Sequence, residues 1–290
     1  MNTERHTNPV KKGKGLIGIN FTVKEALNFV PKKPKTHRIF QRLEIKMKNG
    51  DSWSFGDYNA EECMTAIEEG TSQFDKPADL KQAKAQARRN SVKRRKKYTE
   101  FDGEPSAERF LGGSQTPFVR KSKSKSSVRT NIDIYINASA SFDVGSHTLK
   151  EYYYEAIKEA YKYVLQGRMV NVYAVNIVDW AYKTNESAVM RTQLKESGKP
   201  VDFKRMALAA YPAFFRQIML RAYLLAEEEH KIEADGSLGN PVHETKTAMK
   251  YINTAFKTES KGKQVLFFDL QQWQANGKKF KTAEEQTKTI

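Results

Sequence analysis

The chain has 290 residues, of which 39% are apolar, and its 50 basic and 34 acidic side chains give a net charge of +16. A chain of this length can bury a large core, as one large domain or two smaller ones, so wholesale disorder is not expected. The single cysteine, Cys63, excludes an internal disulfide and a cysteine-based zinc site. No apolar run approaches the roughly 18 residues of a membrane span, and we expect a soluble, cytoplasmic protein without membrane contact.

The positive charge is concentrated in two parts of the chain. Residues 1–50 carry 12 basic and 3 acidic side chains, residues 51–80 carry 1 and 8, and residues 81–130 carry 15 and 4. Residues 131–240 are nearly neutral, with 13 basic and 14 acidic side chains. A neutral body with separate cationic segments is typical of a protein that binds a polyanion.

A basic arm and a small hairpin-helix unit are predicted at the start of the chain. Lysines, glycines and prolines surround one short apolar stretch in residues 1–38, which indicates an arm. Apolar residues alternate from Leu43 to Phe55 around Asn49-Gly50, which predicts a β-hairpin. A short helix that begins after the N-cap Asn59 completes the unit, to which we assign residues 39–78.

Residues 79–130 are predicted to form a basic flexible segment. Their helical part buries little apolar area, and glycines, prolines and a Lys-Ser run follow it. Residues 88–129 carry 13 basic side chains, and each of them gains affinity for a polyphosphate through counterion release. Such a charge run by itself is also compatible with a solvated linker.

The residues from 131 to 270 have the pattern of a compact α/β core. An Ile-rich strand at 132–136, a helix with a capping box of Thr148 and Glu151, and a β-rich run at 169–178 follow in order. This order favours a parallel sheet with a right-handed crossover. The remaining predicted elements are a strand at 188–194, a helix at 202–230 that Pro212 must kink or split, a helix from Asn240-Pro241, a strand at 265–268 and a polar tail at 271–290.

The end of the first core strand carries a motif-like loop, Asn137-Ala-Ser139-Ala-Ser141. Its spacing resembles the Asp-x-Ser-x-Ser loop with which von Willebrand type A domains hold magnesium, and this favours a Rossmann-like three-layer core. A hard cation prefers an anionic oxygen, whereas Asn137 offers a neutral carbonyl. We therefore expect the fold without the metal: Asn137, Ser139 and Ser141 form a degenerate loop, and no cofactor is predicted.

Catalytic patterns are weak. Asp133, Asp179 and Asp269 lie in or near predicted strands, where a nuclease can gather carboxylates for two metals, but no local spacing joins them. The histidines are scattered, and the glycine-rich phosphate-binding motifs are absent from the sequence. We expect that the protein is not an enzyme, and a metal-dependent nuclease is the least favoured alternative.

Aromatic residues beside the lysines favour single-stranded nucleic acid. Unstacked bases stack on such rings at about 1–3 kcal/mol each, and the sequence shows neither a helix-turn-helix nor a zinc-finger signature. Core packing is the competing role, expected for about half of the helix tyrosines. The candidate nucleic-acid-binding residues are Arg88, Arg89, Lys93, Arg94, Arg95, Lys96, Lys97, Tyr98, Phe101, Lys121, Lys123, Lys125, Arg129, Tyr152 and Tyr154.

Several motifs together resemble a podoviral protein family. They are Trp53-Ser-Phe-Gly56, Glu61-Glu62-Cys63, Gly103-Glu-Pro105, Phe110-Leu-Gly-Gly113, the Ile-rich strand at 132–136 and Tyr211-Pro-Ala-Phe-Phe-Arg216. The order and texture over residues 50–230 resemble the single-stranded-DNA-binding proteins of schitoviruses, phages that carry a giant virion RNA polymerase.

This resemblance implies a protein of the infected bacterial cytoplasm that coats single-stranded DNA. It also implies recruitment of the phage RNA polymerase to middle promoters, a role in replication and self-association on DNA. The alternative from another class is a protein-interaction scaffold with a degenerate, metal-free adhesion-type fold.

Overall fold

The computed structural model describes residues 2–33, 38–56, 58–69, 96–99, 104–105, 109, 111–116, 118–121, 131–139, 144–166, 168–179, 186–230, 240–258, 264–281 and 286. The strands are β1 (Asn2–Thr7), β2 (Gly15–Asn20), β3 (Lys96–Thr99), β4 (Glu104–Pro105), β5 (Phe118–Lys121), β6 (Asn131–Asn137), β7 (Met169–Asp179), β8 (Ser187–Lys195), β9 (Asn240–Pro241) and β10 (Gln264–Phe268). The α-helices are α1 (Val23–Leu27), α2 (Arg38–Lys48), α3 (Ser52–Phe55), α4 (Ala60–Glu69), α5 (Ser146–Leu165), α6 (Phe203–Met206), α7 (Leu220–His230), α8 (Thr245–Phe256) and α9 (Leu270–Ala275). A 3₁₀ turn (Ala207–Ala210) and a π-helical segment (Phe214–Met219) lie between α6 and α7.

The described strands form a central sheet of mixed direction and a second, small sheet. The central sheet has the order β1-β2-β8-β7-β6-β10, and β9 pairs with the end of β7. Strands β10, β6 and β7 are parallel, whereas β8 is antiparallel to β7. The predicted strand-helix-strand unit with a parallel pairing is confirmed, with α5 as the crossover between β6 and β7.

Helices cover both faces of the central sheet. One face, with Ile132, Ile134 and Ile136, packs in the same apolar cluster as α5 and α7. The other face, with Val175 and Ile177 on β7, packs against α8. The result is a three-layer α/β core, as the sequence predicts, and it explains why the central strands have nearly continuous apolar runs.

The first 38 residues contribute structure to the sheet. β1 and β2 form an antiparallel pair, and β2 joins the sheet through a parallel pairing with β8. Leu16, Ile17 and Ile19 are completely buried. The apolar stretch inside the predicted basic arm is therefore a core strand, because its side chains fill both faces of the sheet.

The predicted hairpin at Leu43–Phe55 is wrong, since these residues belong to helices α2 and α3. Phe40, Leu43 and Met47 are spaced by three and four residues and pack against the core, which is the helical period. Asn49-Gly50 ends a helix instead of turning a hairpin. The amides of Gly50 and Asp51 donate to the carbonyls of Met47 (3.3 Å) and Lys46 (3.0 Å), and Gly50 has a φ of 60°.

The helix termini agree with the sequence in part. The Asn59 side chain accepts hydrogen bonds from the amides of Glu61 (2.8 Å) and Glu62 (3.3 Å), so the predicted N-cap is confirmed. The capping box of Thr148 and Glu151 is wrong: α5 starts two residues before Thr148, after Gly145, which has no side chain to cap it. Glu151 instead pairs with Lys278 at 2.8 Å.

The C-terminal elements follow the predicted order with shifted bounds. The helix predicted from residue 202 is split at Pro212, where the preceding Tyr211 is extended, as the steric effect of proline requires. The last long helix begins at Thr245, because Asn240 and Pro241 pair with the end of β7 as strand β9. Phe280, in the predicted polar tail, stacks on Phe268 at 4.5 Å between ring centroids.

Gly56 is the glycine on which the fit of the N-terminal helices to the core depends. Its φ is 64°, and a Cβ at this position would lie 1.8 Å from Oγ of Ser146. We expect Gly56→Ala to lower the free energy of unfolding by about 1–2 kcal/mol for the left-handed backbone and by about 1–3 kcal/mol more for the overpacking. Urea unfolding followed by circular dichroism measures this loss.

Gly50→Ala is the matched control. Gly50 also has a left-handed φ of 60°, but its added Cβ would meet only the Ala60 side chain, at 3.7 Å. It should therefore lose only the backbone contribution of about 1–2 kcal/mol. Equal losses in the two variants would contradict the close packing of Gly56 against α5.

Cys63 on α4 is a buried packing residue, and burial raises the pKa of its thiol to about 12. Because the thiolate is the reactive form, we expect alkylation of the folded protein at pH 8 to be at least about 100-fold slower than alkylation in urea. Mass spectrometry of iodoacetamide-treated protein measures both rates, with glutathione as the reference thiol. Comparable rates in the two states would show that α4 is not packed as described.

Candidate functional site

The small sheet brings the two predicted basic runs together. β3 and β5 are antiparallel, with Lys96 opposite Lys121, Lys97 opposite Arg120, Tyr98 opposite Val119 and Thr99 opposite Phe118. The other edge of β5 pairs with β4. The end of the first basic run therefore lies directly beside the start of the second, although 23 residues separate Lys97 from Lys121 in the sequence.

Two successive pairs in this register join residues of like charge. Like charges directly opposite each other destabilise an antiparallel pair, by an amount of the order of 0.2–1 kcal/mol. The next residues along β3 and β5 include the aromatic Tyr98 and Phe118. By this register, Lys96, Tyr98 and Lys121 belong to one face of the small sheet, and Lys97, Arg120 and Phe118 to the other, so each face carries two cations and one aromatic residue.

Several predicted site residues lie outside the described residues. They are Arg88, Arg89, Lys93, Arg94, Arg95, Phe101, Lys123, Lys125, Arg129 and Ser141. Lys96, Lys97, Tyr98 and Lys121 are placed by the backbone of β3 and β5.

The helix tyrosines have structural roles that the sequence did not separate. Tyr152 is completely buried, and its hydroxyl donates to the carbonyl of Phe268 (2.7 Å), with the carbonyl of Asn137 3.2 Å away. Burial raises the pKa of Tyr152 well above its ordinary value. Its predicted contact with a base is therefore wrong. Tyr154 is half-buried, with the ammonium of Lys158 5.6 Å from its ring centroid.

A buried polar network occupies the carboxyl ends of β6, β7 and β10. The Asn137 amide nitrogen donates to Oδ2 of Asp269 at 2.8 Å, and its oxygen accepts from the amide of Ser139 at 3.0 Å. Ser139 in turn bonds to Asn176 on β7. Carboxyl ends of parallel strands are where open α/β sheets place ligand sites, which makes this network the second candidate site of the protein.

Asp269 is the centre of this network. Its Oδ1 accepts the amide of Gln272, which caps α9, and its Oδ2 lies 2.8 Å from Nδ1 of His243. Asp269 is buried, while the His243 side chain is 17% exposed. A carboxylate that holds one imidazole nitrogen leaves the other, Nε2, for an outside partner. Among the described residues, however, no hydroxyl or thiol nucleophile bonds to the His243 ring.

The residues present do not fit a divalent metal. Asn137 Oδ1 is engaged by the Ser139 amide, and Asp269 Oδ2 is shared by Asn137 and His243. Within the described ranges, no three His, Cys, Asp or Glu side chains are grouped as metal ligands. Asp133 bonds to Asn171 at 2.7 Å, and Asp179 pairs with Lys11 at 3.1 Å, so the three strand aspartates have separate partners.

The protein-family model described as "Domain of unknown function (DUF7192)" matches residues 22–284. The chain belongs to the DUF7192 family. The searches of curated proteins and of solved structures found no match.

The DUF7192 match includes both the small basic sheet and the polar network around Asp269. β1 and β2 precede it and complete the central sheet. In the part of this DUF7192 protein that the structure describes, every helix is too short or too polar to cross a membrane.

Two arrangements in the DUF7192 structure had no signal in the sequence. His243 and Asp269 are 26 residues apart and meet only through the sheet. Arg191 on β8 donates to the Tyr135 hydroxyl (2.9 Å) and lies 3.7 Å from the ring centroid of Phe256. An isolated arginine in a predicted strand does not indicate such a position.

Asp269→Ala should destabilise the DUF7192 core. Loss of an N-cap costs about 1 kcal/mol, and the buried Asn137 amide left without an acceptor costs about 1–3 kcal/mol. Urea unfolding should show a loss of about 2–4 kcal/mol. Asp269→Asn, which keeps a capping oxygen, should lose about half as much, and an unchanged stability of Asp269→Ala would show that the network is not structural.

Proposed function

We propose that this DUF7192 protein binds single-stranded DNA with little dependence on sequence. The observation that carries the proposal is the β3–β5 register, which sets Lys96 against Lys121 and Lys97 against Arg120. Phosphates between such residues replace repulsion by attraction and release counterions. In the proposed complex, the basic residues contact phosphates and the neighbouring aromatic residues stack on bases.

Single-stranded DNA is favoured over duplex by the aromatic residues. Tyr98 and Phe118 adjoin the basic pairs on β3 and β5. A base can stack on a ring only when it is unstacked from its neighbours, as in a single strand. As part of the same proposal, the protein acts in the infected bacterial cytoplasm, in phage transcription by recruiting the phage RNA polymerase and in replication, and associates with itself on DNA.

Anisotropy titration of a labelled oligothymidine across a salt series tests the proposal. Between about 50 and 200 mM salt, the logarithm of the association constant should fall linearly with the logarithm of the salt concentration, with a slope of about 0.7 per phosphate contact. Duplex of the same length should bind more weakly. Absence of binding at the lowest salt would leave the interaction scaffold as the better function.

The variant Lys96→Gln/Lys97→Gln should have opposite effects on the free and bound protein. It removes both like-charged pairs, so amide hydrogen exchange in β3 and β5 should be equal or slower in the free protein. Its salt slope for DNA should fall by about 0.7 for each phosphate that the variant no longer binds. Lys246→Gln/Lys250→Gln, on the exposed face of α8, is the matched control for the removal of two charges.

The nuclease alternative has its own readout. Incubation of the oligonucleotide with magnesium or manganese should leave it intact. Cleavage that a chelator abolishes, and that Asp133→Asn, Asp179→Asn or Asp269→Asn also abolishes, would overturn the proposal that the protein only binds DNA.

A further inference from the structure

The outer face of helix α2 carries cations that the protein does not neutralise. Arg38, Arg42 and Lys48 are exposed, together with Gln41 and Ile45 on the same face, and Ile45 is 59% exposed. Within the described residues, none of the three cations forms an ion pair. The face extends over ten residue steps, which at about 1.5 Å per residue gives a row about 15 Å long.

Helix α5 pairs its cations within the helix, whereas α8 leaves Lys246 and Lys250 without an ion pair among the described residues. On α5, Lys158 pairs with Glu155 at 2.7 Å and Lys162 pairs with Glu159 at 2.5 Å, each three residues away. The acidic residue of α2, Glu44, bonds instead to the buried Arg221 on α7. The carboxylate four residues before Lys48 is therefore engaged by Arg221.

The charges of α2 are unfavourable for an isolated helix. Arg38 and Arg42 are four residues apart, and like charges at this spacing destabilise a helix by about 0.2–0.5 kcal/mol per pair. Lys46, four residues after Arg42, is paired with Asp51 at 3.1 Å. The first turn contains no acidic residue and begins with Arg38, whose charge opposes the helix dipole. An anion along this face would relieve both effects.

The helix is held firmly enough to present this face. Phe40 and Leu43 are buried, and Phe40 packs edge-on against Phe29 with ring centroids 6.3 Å apart. The guanidinium of Arg221 lies 5.3 Å from the centroid of the Phe40 ring. A polyanion therefore meets a fixed row of cations, and little ordering of the backbone opposes its binding.

We infer that the outer face of α2 is a second contact surface for the phosphate backbone of single-stranded DNA, an inference that rests on the function proposed above. A row of cations without paired carboxylates matches a ligand whose negative charge repeats along its length. Ile45 is the one large apolar side chain exposed on this helix, which is too little for a membrane-surface helix. The side chains of this face contact phosphates without selecting bases.

The test is the triple variant Arg38→Ala/Arg42→Ala/Lys48→Ala in the full chain. Alanine favours the helix and removes the like-charged pair of Arg38 and Arg42, so the urea midpoint of the free protein should not fall. For a labelled oligothymidine, the salt slope should fall by about 2, since each of three contacts contributes about 0.7. Anisotropy titrations at several salt concentrations measure this change.

Lys246→Ala/Lys250→Ala/Lys279→Ala is the charge-matched control. These three lysines are exposed and form no ion pair within the described part of the chain, so the control changes the net charge equally. It should keep a slope within about 0.5 of the unmodified protein, because long-range charge changes the rate of encounter more than the number of contacts. Equal loss in both triple variants would overturn the α2 surface.

The remaining outcomes separate this inference from the proposed function. DNA binding by the unmodified protein with an unchanged slope in the α2 variant would overturn the α2 surface and leave the proposed function standing. No DNA binding by the unmodified protein would overturn both. Binding of the unmodified protein to phosphatidylserine vesicles that is abolished in the α2 variant, with DNA binding unaffected, would assign the face to a membrane and overturn the inference.

Discussion

The burial of the parallel strands on both faces is the constraint that decides which charged groups of this protein remain available to other molecules. β6 and β7 lie between α5 and α7 on one side and α8 on the other, so their polar groups have to be satisfied within the protein. Asn137 and Asp269 meet this requirement for each other at the strand ends. The same requirement engages the loop that resembles a metal site. The Asn137 amide donates a hydrogen bond to Asp269, so that carboxylate oxygen is not available to a cation.

Outside this core, cations lie beside other cations instead of beside acidic groups. In the small sheet, cations stand opposite cations, and along α2 they follow each other at helical spacing. Neither arrangement stabilises the free protein, since each opposed or stacked pair of like charges costs about a few tenths of a kcal/mol or more. The lysines of α5 show that the chain can provide glutamates at the right distance. The proposals for both surfaces start from this contrast with α5, and the unpaired lysines of α8 provide the control.

The sequence was sufficient for the core and insufficient for the N-terminal helices. The β-branched run of β6, the apolar period of α5 and the long apolar β7 each have a single structural interpretation, and the fold class follows from their order. From Leu43 to Phe55, the apolar spacing fits a strand and a helix equally, and Asn49-Gly50 serves a hairpin or a helix end. The buried Phe40 extends the helical spacing of Leu43 and Met47 and so indicates a helix. It lies before the segment in which apolar and polar residues alternate, so that segment alone does not reveal the helix. His243 and Asp269 could not be joined from the sequence, because only the order of the strands brings them together.

If both proposed surfaces contact the same DNA strand, they bind it more tightly together than either surface does alone. In the proposed complex, a strand of DNA bound at the small sheet would raise the effective concentration of phosphates at α2 and make the second contact intramolecular. Each surface can then be weak, with few contacts, while the pair binds tightly, and the gain depends on a strand long enough to reach both. A duplex is stiff over about 150 base pairs, so it reaches a second surface that does not lie along its axis only at the cost of bending. The proposed preference for the single strand would then have two sources, its flexibility between two phosphate contacts and the proposed stacking of bases on Tyr98 and Phe118.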